Sequence, residues 1–425
     1  MCFRIFTLKN ALLMIMTLAL GVVANAQTQT TIFTYGKNPD FWPQGGLIED
    51  SSGNLYGTTK GGGTYGVGTV YEFSPPAKSG QKWKQTILYS FVPYGGGGYV
   101  PISDLVRDSS GAFYGVFYFG GDPSCNCGGV YKLTPPAVKG GAWTESAIYS
   151  FKTSDGHLPT VGAALAITQN GTLYGTTVQG GTWSGGTLYQ LTTQDGINYT
   201  ETILYSFGEL ADANIPNGPI LLDSAGSLYG VTFAGGAYNQ GTVYKFVPAA
   251  NGNPATESIL YSFGGTTASG KTPIGNLLFD ASGNIYGVTT YGGSKSSNGI
   301  VYELSPATPT WTETVLYTFT KTSGANPLGG LTWNPTNGVL YGSTSALNPN
   351  PAGGGSIFQL TPPTVSGGAW TESTLFDFTQ DTNGGYPTGT IWRDANTGTL
   401  YGTCLIGAVG SADWYWGTAW SITNP

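Results

Sequence analysis

Seven acidic residues, Asp40, Asp122, Asp155, Glu209, Asp212, Asp381 and Asp413, stand in glycine-rich stretches of this 425-residue chain. Two carboxyl groups held roughly 5 to 9.5 Å apart, one of them protonated, would suffice to hydrolyse a glycosidic bond. None of the seven falls in a repeated or recognisable constellation, so the sequence assigns no catalytic residue. His157, the only histidine, could act as a general base or metal ligand, but within Asp155-Gly-His157-Leu-Pro159 it reads as a solvated loop residue. One histidine without a cysteine cluster excludes ordinary zinc spacing. No Gly-x-Ser-x-Gly elbow, phosphate loop or dinucleotide fingerprint occurs in a strand-to-helix setting. No metal and no cofactor is expected.

A second chemistry is binding. Tyr65, Trp183, Tyr238, Tyr291, Trp414, Tyr415 and Trp416 lie in loops rich in glycine, beside polar segments such as Asn348-Pro-Asn350. Aromatic faces with few charges suit the faces of sugars, while Asn and Ser supply hydrogen bonds. The alternative is that these rings merely cover glycine-rich loops. Cys125 and Cys127 are close enough to form a disulfide that staples one such loop, and Cys404, inside a predicted strand, reads as a small buried hydrophobe.

What must position these residues is a repeat. Leu/Phe/Ile-Tyr-Gly recurs seven times, with tyrosines at 56, 114, 174, 229, 286, 341 and 401, at spacings of 55 to 60 residues. Such periods mark units that cannot bury their apolar surface alone and stack on their neighbours. The fifth unit shows four strands: Thr256 to Phe263, Pro273 to Asp280, Asn284 to Thr290 and Gly299 to Leu304. Each is rich in β-branched and aromatic residues and punctuated by Gly, Pro, Asn, Asp or Ser. No stretch beyond residue 26 carries a helical period.

Asp50-Ser-Ser-Gly53, Asp108-Ser-Ser-Gly111, Asp223-Ser-Ala-Gly226 and Asp280-Ala-Ser-Gly283 read as hairpin turns rather than metal ligands, since Thr168 and Asn334 take the aspartate's place elsewhere. The Trp-Thr-Glu segments at Trp143, Trp311 and Trp370 read as packing, with the glutamate in cross-strand polar contact on an outer strand. The glycine after each repeat tyrosine signals close backbone approach, which places the Leu-Tyr-Gly strand toward the inside of a radial assembly.

The two ends discriminate ring from solenoid. Thr30 to Tyr35 matches the Ile-Leu-Tyr-Ser-Phe strand alone, and Thr418 to Ile422 matches the Val-Tyr-Glu-Leu strand, so the last unit lacks its fourth strand. An N-terminal strand that supplies it removes the exposed edges. The expectation is an all-β, seven-bladed β-propeller of four-stranded antiparallel blades, a single domain over 27–425 closed by its N-terminal strand. In such a ring the aromatic loops and the seven acids share the face around the channel mouth.

Gly45 to Phe73, reading Gly-Gly-Leu-x-x-Asp-x-x-Gly-Asn-Leu-Tyr-Gly-Thr-Thr, then Gly-Gly and Gly-Thr-Val-Tyr-Glu-Phe, resembles the GloVer-type tandem repeat of "choice-of-anchor" exported bacterial proteins. The resemblance spans the chain beyond residue 26. It implies an exported, often surface-attached repeat protein and brings no catalytic residues; a C-terminal sorting tail is not evident. The inner hairpin is also similar to that of NHL-type propellers, which bears on fold and not activity.

Arg4 and Lys9, an apolar run from Ala11 to Val23, and Ala24-Asn25-Ala26 have the form of a secretory signal peptide cleaved after Ala26. The run is too short to span a bilayer. Without it, 14 basic residues face 23 acidic ones, a net charge of −9 that argues against nucleic acid or anionic membrane as partner. A secreted, periplasmic or cell-surface monomer is expected. Its first-choice role is non-catalytic binding of a glycan or another surface protein. A carbohydrate-active hydrolase or lyase, or a purely structural envelope module, is the alternative.

Overall fold

The computed structural model describes residues 27–36, 40–78, 80–93, 97–160, 162, 164–209, 212–250, 253–307, 310–346, 353–365, 367–379, 383–407, 416–423 and 425, without the side chains of residues 40 and 346. The signal-peptide segment lies outside these residues. So do Asp381, Asp413, Trp414, Tyr415 and the Asn348-Pro-Asn350 segment. No described helix is long and apolar enough to cross a membrane.

The strands form seven antiparallel sheets that are the blades of a β-propeller. In the fourth blade the first strand has two pieces, Ala213–Pro216 and Leu221–Leu222, followed outward by Leu228–Gly235, Thr242–Val247 and Thr256–Ser262. The seventh blade orders Gly385–Pro387, Leu400–Ile406, Thr418–Thr423 and then Thr28–Thr34, so the N-terminal strand closes the ring as its outermost member, as the two ends foretold. Thr28 pairs with Thr423 and Thr34 with Thr418.

The expected turns form. The Asp50 carboxylate accepts hydrogen bonds from the Ser52 and Asn54 amides at 2.8 and 3.0 Å, from the Asn54 side chain at 3.0 Å and from the Tyr56 hydroxyl at 2.9 Å. Gly53 takes the positive φ of 79° that closes the turn. Asp108 repeats the arrangement with Ser110, Ala112 and Tyr114. The aspartate thus ties the turn to the tyrosine of the Leu-Tyr-Gly strand.

The repeated glycine has a different cause from the one expected. The Leu-Tyr-Gly strand is second from the axis, and the proline-bearing strand is innermost. Gly57, Gly115, Gly175, Gly230, Gly287, Gly342 and Gly402 lie directly opposite Tyr71, Tyr131, Tyr189, Tyr244, Tyr302, Phe358 and Trp420 of the third strand. Each ring lies over its glycine; a Cβ on Gly115 or Gly230 would come within 2.5 Å of the opposing hydroxyl. All seven rings are buried. The glycine makes room for its own cross-strand partner rather than for convergence at the axis.

Two of the tryptophans pack across blade boundaries, Trp83 meeting Tyr401 at 6.0 Å and Trp370 meeting Tyr286 at 6.5 Å, while Trp143 stacks on Phe113 of its own blade at 5.4 Å. Burying rings of this size contributes about 1.5–3 kcal/mol each. The glutamate of the Trp-Thr-Glu segment does lie on the outermost strand, but its partner is across a blade boundary. Tyr317 of the fifth blade donates to Glu372 of the sixth at 3.3 Å.

Candidate binding face around the channel mouth

Each innermost strand carries one proline, and the residue before it has a left-handed backbone. Trp42, Val100, Leu158, Ile215, Thr272, Asn326 and Tyr386 have φ between 51° and 62°. Such a conformation costs a non-glycine residue about 1–3 kcal/mol, and three of these seven are β-branched. It persists because it is over-determined. The seven amides donate to Trp416, Val67, Cys127, Gly185, Gln240, Asn298 and Gly354 of the preceding blade at 2.6–3.2 Å. The following proline ring lies on a positive-φ glycine of that blade: Pro101 Cδ on Gly68 and Pro273 Cδ on Gly241, each where a Cβ would be 2.5 Å away. Seven main-chain latches therefore join neighbouring blades at the mouth.

The side chains on these latches do not repeat. They are Trp, Val, Leu, Ile, Thr, Asn and Tyr in ring order, and Trp42, Ile215 and Tyr386 are exposed. The sequence reading missed this set. The signal was a proline at nearly fixed phase, 13 to 15 residues before each repeat tyrosine, with a different neighbour every time.

Immediately after the prolines, Gln44, Asn217, Ile274, Leu328 and Thr388 line a cavity of about 200 Å³ on the axis. That is below the 300–1,000 Å³ of ordinary ligand sites. Asp104 lies close by, three residues after its proline, where the other blades have Gly46, Gly162, Pro219, Asn276, Gly330 or Thr390. Its buried carboxyl accepts hydrogen bonds from the Gly46 amide and the Thr390 side chain, and burial pushes its pKa up to about 6.

Of the predicted binding rings, Tyr65, Trp183, Tyr238 and Tyr291 are exposed, at 55, 52, 54 and 45 %. They belong to the first, third, fourth and fifth blades, in or beside the loops joining second to third strands. Tyr238 leans over Gly264 and Gly265. Trp416 is different: it is half-buried, 5.8 Å from Phe41, and packs on the cluster around Tyr35. Cys125 and Cys127 are joined by a disulfide in the second blade's loop, and Cys404 is buried.

Three of the described acids of this face are engaged as loop acceptors, while Glu209 contributes its main-chain carbonyl, which accepts from the Asp212 amide at 3.0 Å. Asp155 accepts from the Tyr149 hydroxyl at 2.8 Å and the Lys152 amide at 2.7 Å, and Asp212 from the Tyr205 hydroxyl at 2.8 Å. Asp122 caps Ser124 at 2.8 Å. His157 is in a strand rather than a loop, paired with Gln179. Among the described residues no group of three His, Cys, Asp or Glu could hold a metal ion.

Fold and site together define a closed seven-bladed β-propeller with an invariant latch and a variable rim. Within that class the chain belongs to the Gloeobacter/Verrucomicrobia repeat family, whose model matches residues 19–223 and 162–415. Among solved structures it is similar to PorZ, a surface component of the type-IX secretion system of Porphyromonas gingivalis. The TM-score is 0.51 at 13 % identity over 93 % of this chain and 48 % of PorZ, so this chain spans about half of that protein. It is also similar to a protein of unknown function from Dyadobacter fermentans, with TM-score 0.44, 13 % identity and coverage of 94 % and 99 %. An alpha-L-arabinanase from Penicillium chrysogenum gives 0.45, 14 %, 83 % and 96 %. The PorZ likeness concerns fold alone. No curated protein matches the sequence.

Proposed function

We propose that this protein is an exported, non-catalytic binding propeller that takes a glycan at the rim of the channel mouth. The observation that supports this most is the latch ring. Seven backbone positions of shared, costly geometry carry seven different side chains, while the proline beside each and the Tyr-Gly pair of the next strand repeat in every blade. Loops and rims on a rigid scaffold are where binding concentrates. Exposed Tyr65, Trp183, Tyr238 and Tyr291 supply flat apolar faces beside polar loop residues. Export rests on the N-terminal charged, apolar and small-residue pattern.

Two measurements test the reading. Cell fractionation with N-terminal sequencing is expected to find the chain outside the cytoplasm and beginning at Gln27. A glycan array probed with the purified mature chain is expected to give a signal that Trp183→Ala with Tyr65→Ala abolishes. No signal on any glycan would favour a structural module instead.

A further inference from the structure

We infer that the groove between the third and fourth blades is the subsite that holds one neutral sugar residue of the glycan. This rests on the binding reading above and narrows it to one boundary of seven. The groove has a volume of about 540 Å³ and is lined by His157, Gln179, Ser184, Asn214 and Ile215 among others. That falls within the range of ordinary ligand sites and is large enough for a mono- or disaccharide, whereas the axial cavity falls below that range.

Comparison of the blade boundaries singles it out. Four places define each boundary: the residue two before the proline, its cross-strand partner, the loop residue two before the latch glycine, and the residue two before the next proline. Between the third and fourth blades these are His157, Gln179, Ser184 and Asn214, all able to donate or accept hydrogen bonds. Between the first and second they are Phe41, Gly61, Gly66 and Tyr99; between the second and third, Tyr99, Phe119, Asn126 and His157. The next boundary has Asn214, Ala234, Asn239 and Lys271, and the one after it Lys271, Tyr291, Ser297 and Ala325. Among these described boundaries, one alone brings together four side chains that can all donate or accept hydrogen bonds.

Its walls are fixed in advance. Ser184 and Ile215 both have left-handed backbones, with φ of 60° and 59°, and the Ile215 amide is bonded to Gly185 at 2.9 Å. Groups held this way lose little freedom on binding. Ile215 and Val178 offer apolar surface, and Trp183 precedes Ser184 with its ring exposed. Among the described residues, no carboxylate and no lysine or arginine lines the groove. Without a carboxyl pair the groove lacks the usual machinery of glycosidic cleavage. Without a lysine or arginine there is no strong counter-charge for an acidic sugar, so neutral hydroxyl-rich sugars are selected.

The test is calorimetric titration of the mature chain with neutral gluco-, manno- and xylo-oligosaccharides and with polygalacturonate. Binding of at least one neutral series is expected, with polygalacturonate at least tenfold weaker. Asn214→Ala and His157→Ala should each weaken the neutral ligand about tenfold, the scale of losing a hydrogen bond to a well-placed polar group. Val365→Ala, in the exposed loop joining the two outer strands of the sixth blade, should leave it within twofold, and thermal melts confirm that all variants fold. Glycan binding that survives Asn214→Ala with His157→Ala overturns the subsite and leaves the binding reading standing. Preference for polygalacturonate overturns the subsite's selectivity and with it the inference. Binding of no saccharide overturns both readings.

Discussion

The hydroxyl of Tyr261, on the outermost strand of the fourth blade, donates to the carboxylate of Glu313 on the outermost strand of the fifth at 2.9 Å. Tyr89 and Glu145 meet likewise at 3.5 Å, and Tyr317 and Glu372 at 3.3 Å. In the second and third blades the tyrosines turn to Asp155 and Asp212 instead, with Glu201 and Glu257 still near enough to push the Tyr149 and Tyr205 pKa values further up. At the seventh blade both members change together. The tyrosine position is Phe376 before Gln29, and Phe33 before Gln85. The outer belt of tyrosine and glutamate is neutral on both sides of the blade that closes the ring.

That belt sets a pH dependence. Burial raises Glu145, Glu201 and Glu257 from 4.5 to about 7. An acid whose folded pKa is raised holds its proton in the folded state where the unfolded chain has lost it. Its contribution is full below about pH 4.5 and is lost as pH rises through 7. The turn aspartates Asp50, Asp108 and Asp223 act oppositely. Burial alone would raise them, but their turn hydrogen bonds outweigh it and lower them, so their contribution is lost as pH falls through the folded values below 3.8. Thermal melts should therefore show a maximum near pH 5 and a decline toward pH 7.5. Glu145→Gln should flatten that decline; a melting temperature that climbs steadily from pH 5 to 7.5 contradicts the assignment.

Gly230→Ala places a Cβ 2.5 Å from the Tyr244 hydroxyl. Overpacking of this kind costs about 1–3 kcal/mol. Urea denaturation should show that loss, and pairing the change with Tyr244→Leu should cost less than the sum of the two, because the residues are in contact.

Thr272→Gly tests the latch. Thr272 has φ of 51° before Pro273, and its hydroxyl bonds only its neighbour Lys271 among the described contacts. Glycine relieves a backbone cost of about 1–3 kcal/mol while adding unfolded-state entropy worth about 0.5–1 kcal/mol. The variant is expected to be as stable as the parent or more so in urea, whereas the same change inside an ordinary strand destabilises. A loss above about 1 kcal/mol would show that the left-handed backbone carries no strain.

Deleting residues 27–36 removes the strand that pairs with Thr418–Thr423. The third strand of the seventh blade then becomes an open edge, which templates association. Size-exclusion chromatography should show the truncated chain as dimers and larger species and the parent as a single smaller one.

The ring was legible in the sequence because a repeat states its own count, and because the two ends carry complementary fragments, Thr30 to Tyr35 and Thr418 to Ile422. The aspartate turns were legible because their hydrogen bonds are local. The role of the repeat glycine was not, since Gly57 and Tyr71 are 14 residues apart and only register reveals that one lies over the other. The blade-crossing contacts of Glu145 and Glu313 were hidden for the same reason, as their tyrosines are 56 and 52 residues upstream. The rim was hidden most deeply. His157 and Asn214 are recognisable as polar residues, but what makes them neighbours is the latch between Ile215 and Gly185, a bond between main-chain atoms that leaves no side-chain pattern.

Because each latch is made by an amide, a carbonyl, a proline ring and a glycine, assembly and selectivity are written in different atoms. The side chain at the latch can be exchanged without touching the bonds that hold one blade to the next. A propeller built this way can change what it binds position by position while its closure stays as it was, so two chains sharing every repeat signature can differ entirely in ligand. Any attempt to transfer a ligand from one such chain to another should therefore compare the seven residues that precede the prolines before it compares anything else.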